Sequence, residues 1–178
     1  RPFGGISNGL ELMTLARGDT PEMGLRDDSV VAANSRIRLF RLAFGAAGNG
    51  QTIPVKDLRA LLRDLGRGSR TEYLWQVDED MPRDVVRCAL LAMLCIEGAL
   101  PQGGTIRVRR EGDTWQAEGE GPAMRADPLA FGVLTGEADG ASVTPAGIQF
   151  LLLQPALAEL GRRAATEEFC DTGLRISF

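Results

Sequence analysis

Residues 80–118 read DMPRDVVRCALLAMLCIEGALPQGGTIRVRREGDTWQAE. Asp80, Met81 and Pro82 open a helical segment running to about Gly98, and its apolar residues Val85, Val86, Ala89, Leu90, Met93 and Leu94 cover a wide arc. A helix apolar over so much of its surface is expected to be largely buried. Pro101-Gln102-Gly103-Gly104 then turns the chain into a strand over residues 105–110, and Glu111-Gly112-Asp113 turns it back into another over 114–118.

The same texture extends to both sides. Residues 55–65 form a helical pattern ended by Gly66 and Gly68, and 71–77 alternate as a strand with Tyr73, Trp75 and Val77 on one face. Trp75 and Trp115 are read as core residues. Downstream, Asp127-Pro128 and Thr144-Pro145 each start a helix, the second reaching Leu160, and a final hairpin spans residues 163–178. Mixed helices and strands over one sheet predict an α+β fold, with a domain covering residues 51–178.

Residues 1–48 are different. Phe3, Ile6, Leu10 and Met13 recur at three- and four-residue steps in a helix ending near Arg17-Gly18. Thr20-Pro21-Glu22 opens a second helix whose stripe is Val30, Ala33, Ile37, Phe40 and Phe44, and which closes near Ala47. The short link makes the two an antiparallel hairpin, and pairing two hairpins in a four-helix bundle covers stripes that one cannot, so a homodimer is expected. At about 1.5 Å per residue, a second helix of about 25 residues outruns a first of about 16 by two turns or more, so a partner segment is expected upstream of Arg1.

Composition narrows the function classes. The chain has 178 residues, 44% of them hydrophobic, enough for a packed core. Net charge is −4, which lacks the electrostatic footprint of a general nucleic-acid binder. The longest apolar run, residues 89–96, is far shorter than the roughly 18 residues that cross a bilayer, and no secretory pattern opens the chain. Cys88, Cys95 and Cys170 lack C-x-x-C spacing and are read as free thiols in a reducing compartment, hence cytoplasmic. There is no histidine, so any histidine chemistry must come from outside the chain.

Two stretches carry a family resemblance. PFGGISNGLEL at 2–12 and FRLAFG at 40–45 resemble the helical hairpin of the ChpT-type histidine phosphotransferases of alphaproteobacteria. That resemblance implies a phosphorylated histidine about one helical turn before Arg1. It also implies a second domain built as a Bergerat-type, histidine-kinase ATPase-like α/β sandwich with a mixed sheet. Residues 90–106 are similar to the helix-turn-strand on the adenine side of those ATPase domains. The kinase helix offers an asparagine to Mg²⁺-ATP, and LLAMLCIE at 90–97 has none. Where kinases carry Asp-x-Gly-x-Gly, this chain has Ala117-Glu118-Gly119-Glu120-Gly121, and Thr144-Pro145-Ala146-Gly147-Ile148-Gln149 replaces the later Gly-x-Gly loop. Three lost positions imply a degenerate domain without ATP.

The implied activity is phosphocarrier transfer, from the receiver aspartate of a CckA-type hybrid kinase, through histidine, to response regulators of the CtrA and CpdR type. Mg²⁺ is expected on the receiver, with no cofactor or metal of the chain's own. The rivals are an ATP-dependent kinase core and a dimeric scaffold without chemistry. Pro2, Phe3, Ser7, Asn8, Arg38 and Arg41 are the docking candidates, near the implied phosphosite; Asn8-Gly9 equally suits helix packing against the dimer mate. Arg36 joins Arg38 and Arg41 on the second helix, where arginines suit an acidic partner or a phosphoryl group and equally a solvated face. Gly119 and Gly121 read better as a structural turn than as a phosphate cradle. Asp78, Glu79 and Asp80 read better as a solvated turn and helix N-cap than as a cation site.

Overall fold

The computed structural model describes residues 21–45 and 50–178. The first helix of the expected hairpin, with Pro2, Phe3, Ser7 and Asn8, lies outside them, as do residues 48 and 49 of the expected boundary at 48–51.

Helices α1 (Pro21–Phe44), α2 (Val55–Leu65), α3 (Arg83–Ala99), α4 (Pro128–Thr135) and α5 (Ile148–Glu159) alternate with strands β1 (Thr52–Ile53), β2 (Thr71–Trp75), β3 (Met81–Pro82), β4 (Gly104–Glu111), β5 (Thr114–Glu120), β6 (Ala165–Cys170) and β7 (Gly173–Ser177). Five strands form one sheet in the order β2-β4-β5-β7-β6. β2 runs parallel to β4 and the other neighbours are antiparallel, so the sheet is mixed, as the family resemblance implies.

Strand alternation sorts the sheet's two faces. Ile106, Val108, Trp115, Ala117, Leu174 and Ile176 are buried on the side covered by helices. Between them Arg107, Arg109, Glu118 and Arg175 stand on the opposite face. Glu118 is buried there because it is satisfied: it accepts from Arg109 Nη2 at 2.9 Å and Arg175 Nε at 2.6 Å. α3 is the central helix, in contact with α1, α5, β4 and β5. From Cys88 to Ile96 all of its residues are buried, as its wide apolar arc implies. Tyr73, Trp75 and Val77 are buried together, and the rings of Trp75 and Trp115 lie 5.7 Å apart.

Two local readings are corrected. α3 begins at Arg83 rather than Asp80, because Met81–Pro82 pair with Thr52–Ile53 as a short antiparallel ladder. The second is Asp80, which caps a different helix. Its Oδ1 accepts from Val55 N at 2.8 Å, at the start of α2, where Pro54 has no side-chain acceptor to offer. Asp78 and Glu79 meanwhile pair with Arg59 and Arg110. At α4 the expected device is in place: Asp127 accepts from Leu129 N and Ala130 N ahead of Pro128, and Gly136 closes the helix at φ +81°. The helix expected from Thr144 has a 3₁₀ turn, Pro145–Gly147, before α5.

α1 is apolar on two sides. Ser35, Leu39 and Ala43 are buried where α1 meets α2 and α3. The stripe visible in the sequence, Val30, Ala33, Ile37, Phe40 and Phe44, falls on the opposite side of the helix and stays half-buried or exposed among the described residues.

Candidate functional site

Two of the positions that match the kinase nucleotide site, residues 90–97 and 117–121, come together at the C-terminal ends of α3 and β5, beside the Pro101–Gly104 turn, while the third, residues 144–149, forms the 3₁₀ turn and the start of α5. Ala117 and Gly119 lie under α3. A side chain on Gly119 would overlap Ile96 Cγ2 and meet Leu100 Cδ1 at 3.1 Å, and one on Gly121 would overlap the Gly103 carbonyl. Ile96 and Leu100 are themselves buried. The two glycines therefore let strand, helix and turn approach closely, a structural role, but Gly119 lies within β5, paired with Ile106 and Leu174, and not in the turn expected from its sequence. Gly121 N donates to Thr172 O, and Arg125 N to Ala99 O, closing the backbone around the same corner.

The other candidates sit on α1. Arg38 and Arg41 are exposed, and neither forms an ion pair among the described residues. Arg36 differs from the solvated or docking group expected of it. Its guanidinium grips Glu97 of α3 with both Nη atoms, Nη1 to Oε2 at 2.7 Å and Nη2 to Oε1 at 2.6 Å. Tyr73 of β2 donates its hydroxyl to Glu97 Oε1 at 2.8 Å. The hydrogen bond from Arg36 to Glu97 holds the guanidinium charged far above its usual range, while burial and the Glu97 charge push the Tyr73 phenol up.

Next to this cluster an apolar groove of about 510 Å³ opens between α1, the end of α3 and the start of α5. Phe40, Phe44, Leu94 and Ile148 line it, together with Arg36 and Glu97. Phe40 is 40% exposed and Ile148 43%, unusual for residues of this size. Glu97 and Tyr73 were not singled out from sequence. A signal exists for Glu97: it is an acid directly after the long apolar run of α3, where a charge must find a partner.

No cysteine is placed as a nucleophile. Burial pushes the Cys88 thiol up to about 12 and holds Cys95 well above the usual range, while Cys170 lies exposed on the edge strand β6. Asp78, Glu79 and Asp80 are each engaged with protein groups, which accounts for the cluster without a cation.

Comparison with known proteins gives a consistent picture. Residues 55–168 match the family described as the histidine phosphotransferase C-terminal domain. A Protein phosphotransferase ChpT from Brucella abortus (strain 2308) is 35% identical over 113 residues, covering 62% of this chain and 54% of that protein. The chain thus spans about half the length of this curated relative. A solved bacterial phosphotransferase superposes with a TM-score of 0.71 at 22% identity, over 99% of this chain and 87% of that one, a likeness of fold. Among the described residues, no helix is long and apolar enough to cross a membrane.

Proposed function

The chain belongs to the histidine phosphotransferase C-terminal domain family, and from that premise we propose that it is part of a phosphorelay carrier rather than of an ATP-driven kinase. The observation that carries this choice is the close packing of Gly119 against Ile96 and Leu100, at the corner where a kinase would seat adenine. Close apolar packing at that corner supports a degenerate, histidine-kinase ATPase-like domain that serves as a binding surface without ATP.

The chain contains no histidine, so the reacting imidazole lies outside it. In the proposed reaction an imidazole nitrogen attacks the phosphorus of a receiver aspartyl phosphate in line. The N–P bond forms as the acyl phosphate P–O bond breaks, and the aspartate carboxylate leaves. A second receiver aspartate then takes the phosphoryl group by the same displacement. Such transfer depends on placement and charge more than on covalent chemistry by the protein. The half-exposed stripe of α1 supports a hairpin and a dimeric four-helix bundle, with Arg38 and Arg41 at the edge of the partner surface. The proposed partners are a CckA-type hybrid kinase, whose receiver would hold the Mg²⁺, and regulators of the CtrA and CpdR type, in the cytoplasm.

Reversing both arginines, Arg38→Glu with Arg41→Glu, in the full-length protein is the test of this site. Acidic receivers should then dock poorly, and transfer at limiting protein should slow by about tenfold or more, with the loss shrinking as salt is raised. Unchanged transfer at low salt would remove the two residues from the docking surface.

A further inference from the structure

Two polar ties hold α1 to α3, and they lie at opposite ends of α3. Near its C-terminus Glu97 binds Arg36, and near its N-terminus Arg87 Nε donates to the Ala43 carbonyl at 3.3 Å. Residue numbers rise along α1 as they fall along α3, so the helices run antiparallel and the ties are spaced along their contact. Leu39 and Ala43 pack the helix against α2 and α3, and the two ties add directional fixed points to that apolar contact. The Glu97 tie is the more demanding. A bidentate arginine–carboxylate pair fixes orientation as well as distance. Tyr73, reaching from the sheet to the same Oε1, binds a third element into the cluster. The Arg36 and Glu97 side chains are 32% and 24% exposed, so solvent screens the pair only in part. Arg36 Cζ also lies 5.9 Å from the centroid of the Phe40 ring, linking the tie to the groove wall.

We propose that Glu97 is a positioning residue: through Arg36 and Tyr73 it locks α1 to the sheet, so that Arg38, Arg41 and the Phe40–Ile148 groove present one rigid surface. The purpose assigned to the lock rests on the carrier reading, while the lock itself is a matter of geometry. The domain then contributes to partner binding as a fixed wall and does not swing relative to the helix.

The test is a distance measurement by pulsed electron paramagnetic resonance on the full-length protein. Spin labels are placed at Arg38→Cys and at the native, exposed Cys170, with labelled protein diluted in unlabelled protein; Cys88 and Cys95 are buried. The parent should give one narrow distance. Glu97→Ala should lose it to a broad distribution while Trp75 and Trp115 fluorescence stays native. The charge-exchanged variant, Arg36→Glu with Glu97→Arg, should recover the narrow distance. A narrow distance in a folded Glu97→Ala protein would overturn the proposal. If Glu97→Ala fails to fold, the exchanged variant decides: a narrow distance supports the lock, and a broad distribution or an unfolded chain overturns it. No phosphoryl donor is involved, so failure of the carrier reading would leave the measured lock standing.

Discussion

Gly119→Val is expected to lower stability by about 3 kcal/mol, the upper end of the usual cost of overpacking, because the site above Gly119 is already full. A Cβ there would overlap Ile96 Cγ2 and press on Leu100 Cδ1. Neither neighbour has room to yield, since Ile96 is fully buried in α3 and Leu100 nearly so. Urea unfolding of Gly119→Ala, alone and with Ile96→Ala, isolates the cause. Ile96→Ala removes the overlapping methyl and leaves Ile96 Cβ 3.6 Å from the new side chain, ordinary contact. The double variant should therefore lose clearly less than the sum of the two single losses. Additive losses would mean that the helix does not lie on the glycine as described, and would reopen the corner to a ligand.

Glu97→Ala is the second large effect, expected at about 2 kcal/mol because it strips a part-buried guanidinium and a phenol of their shared acceptor. The figure is below that of a fully buried pair because solvent reaches both side chains. Tyr73→Phe removes only one hydrogen bond and should cost about 1 kcal/mol. The pH dependence has a definite sign. Burial, then Glu97, raises the folded-state pKa of Tyr73 above its unfolded value of roughly 10. The phenol's contribution is therefore complete below that pH and lost as pH climbs through the raised value. Denaturant midpoints followed into the alkaline range should fall more steeply for the parent than for Tyr73→Phe. Parallel curves would remove Tyr73 from the cluster.

Local patterns were legible in the sequence where local physics decides. α2 spans residues 55–65 as its apolar spacing and closing glycines indicate, and Asp127-Pro128 starts α4 as a cap should. Non-local partners were hidden. Nothing adjacent to Asp80 tells that it caps a helix beginning 25 residues earlier, or that Met81–Pro82 are claimed by Thr52–Ile53 before α3 can start. The face that α1 buries is drawn with Ser35, Leu39 and Ala43, small and partly polar, and the bulkier stripe on its other side hid it. Arg36 looked like a member of a charged face because Glu97 lies 61 residues away. At Gly119 the reason for a glycine is the neighbouring helix, which only the fold brings into place. Of the six docking candidates, Arg38 and Arg41 are found exposed on α1, and the remaining four lie outside the described residues.

Phosphoryl transfer to the full-length protein bears on the carrier claim most directly. The protein would be incubated with a phosphorylated receiver domain of the proposed hybrid-kinase donor, and acid-labile phosphate on it followed beside a variant lacking the implied histidine. Label should appear on the parent and be absent from the variant, with none incorporated when ATP alone replaces the receiver. An intact, histidine-containing protein that takes no phosphate from the receiver, or that labels itself directly from ATP, would contradict the account.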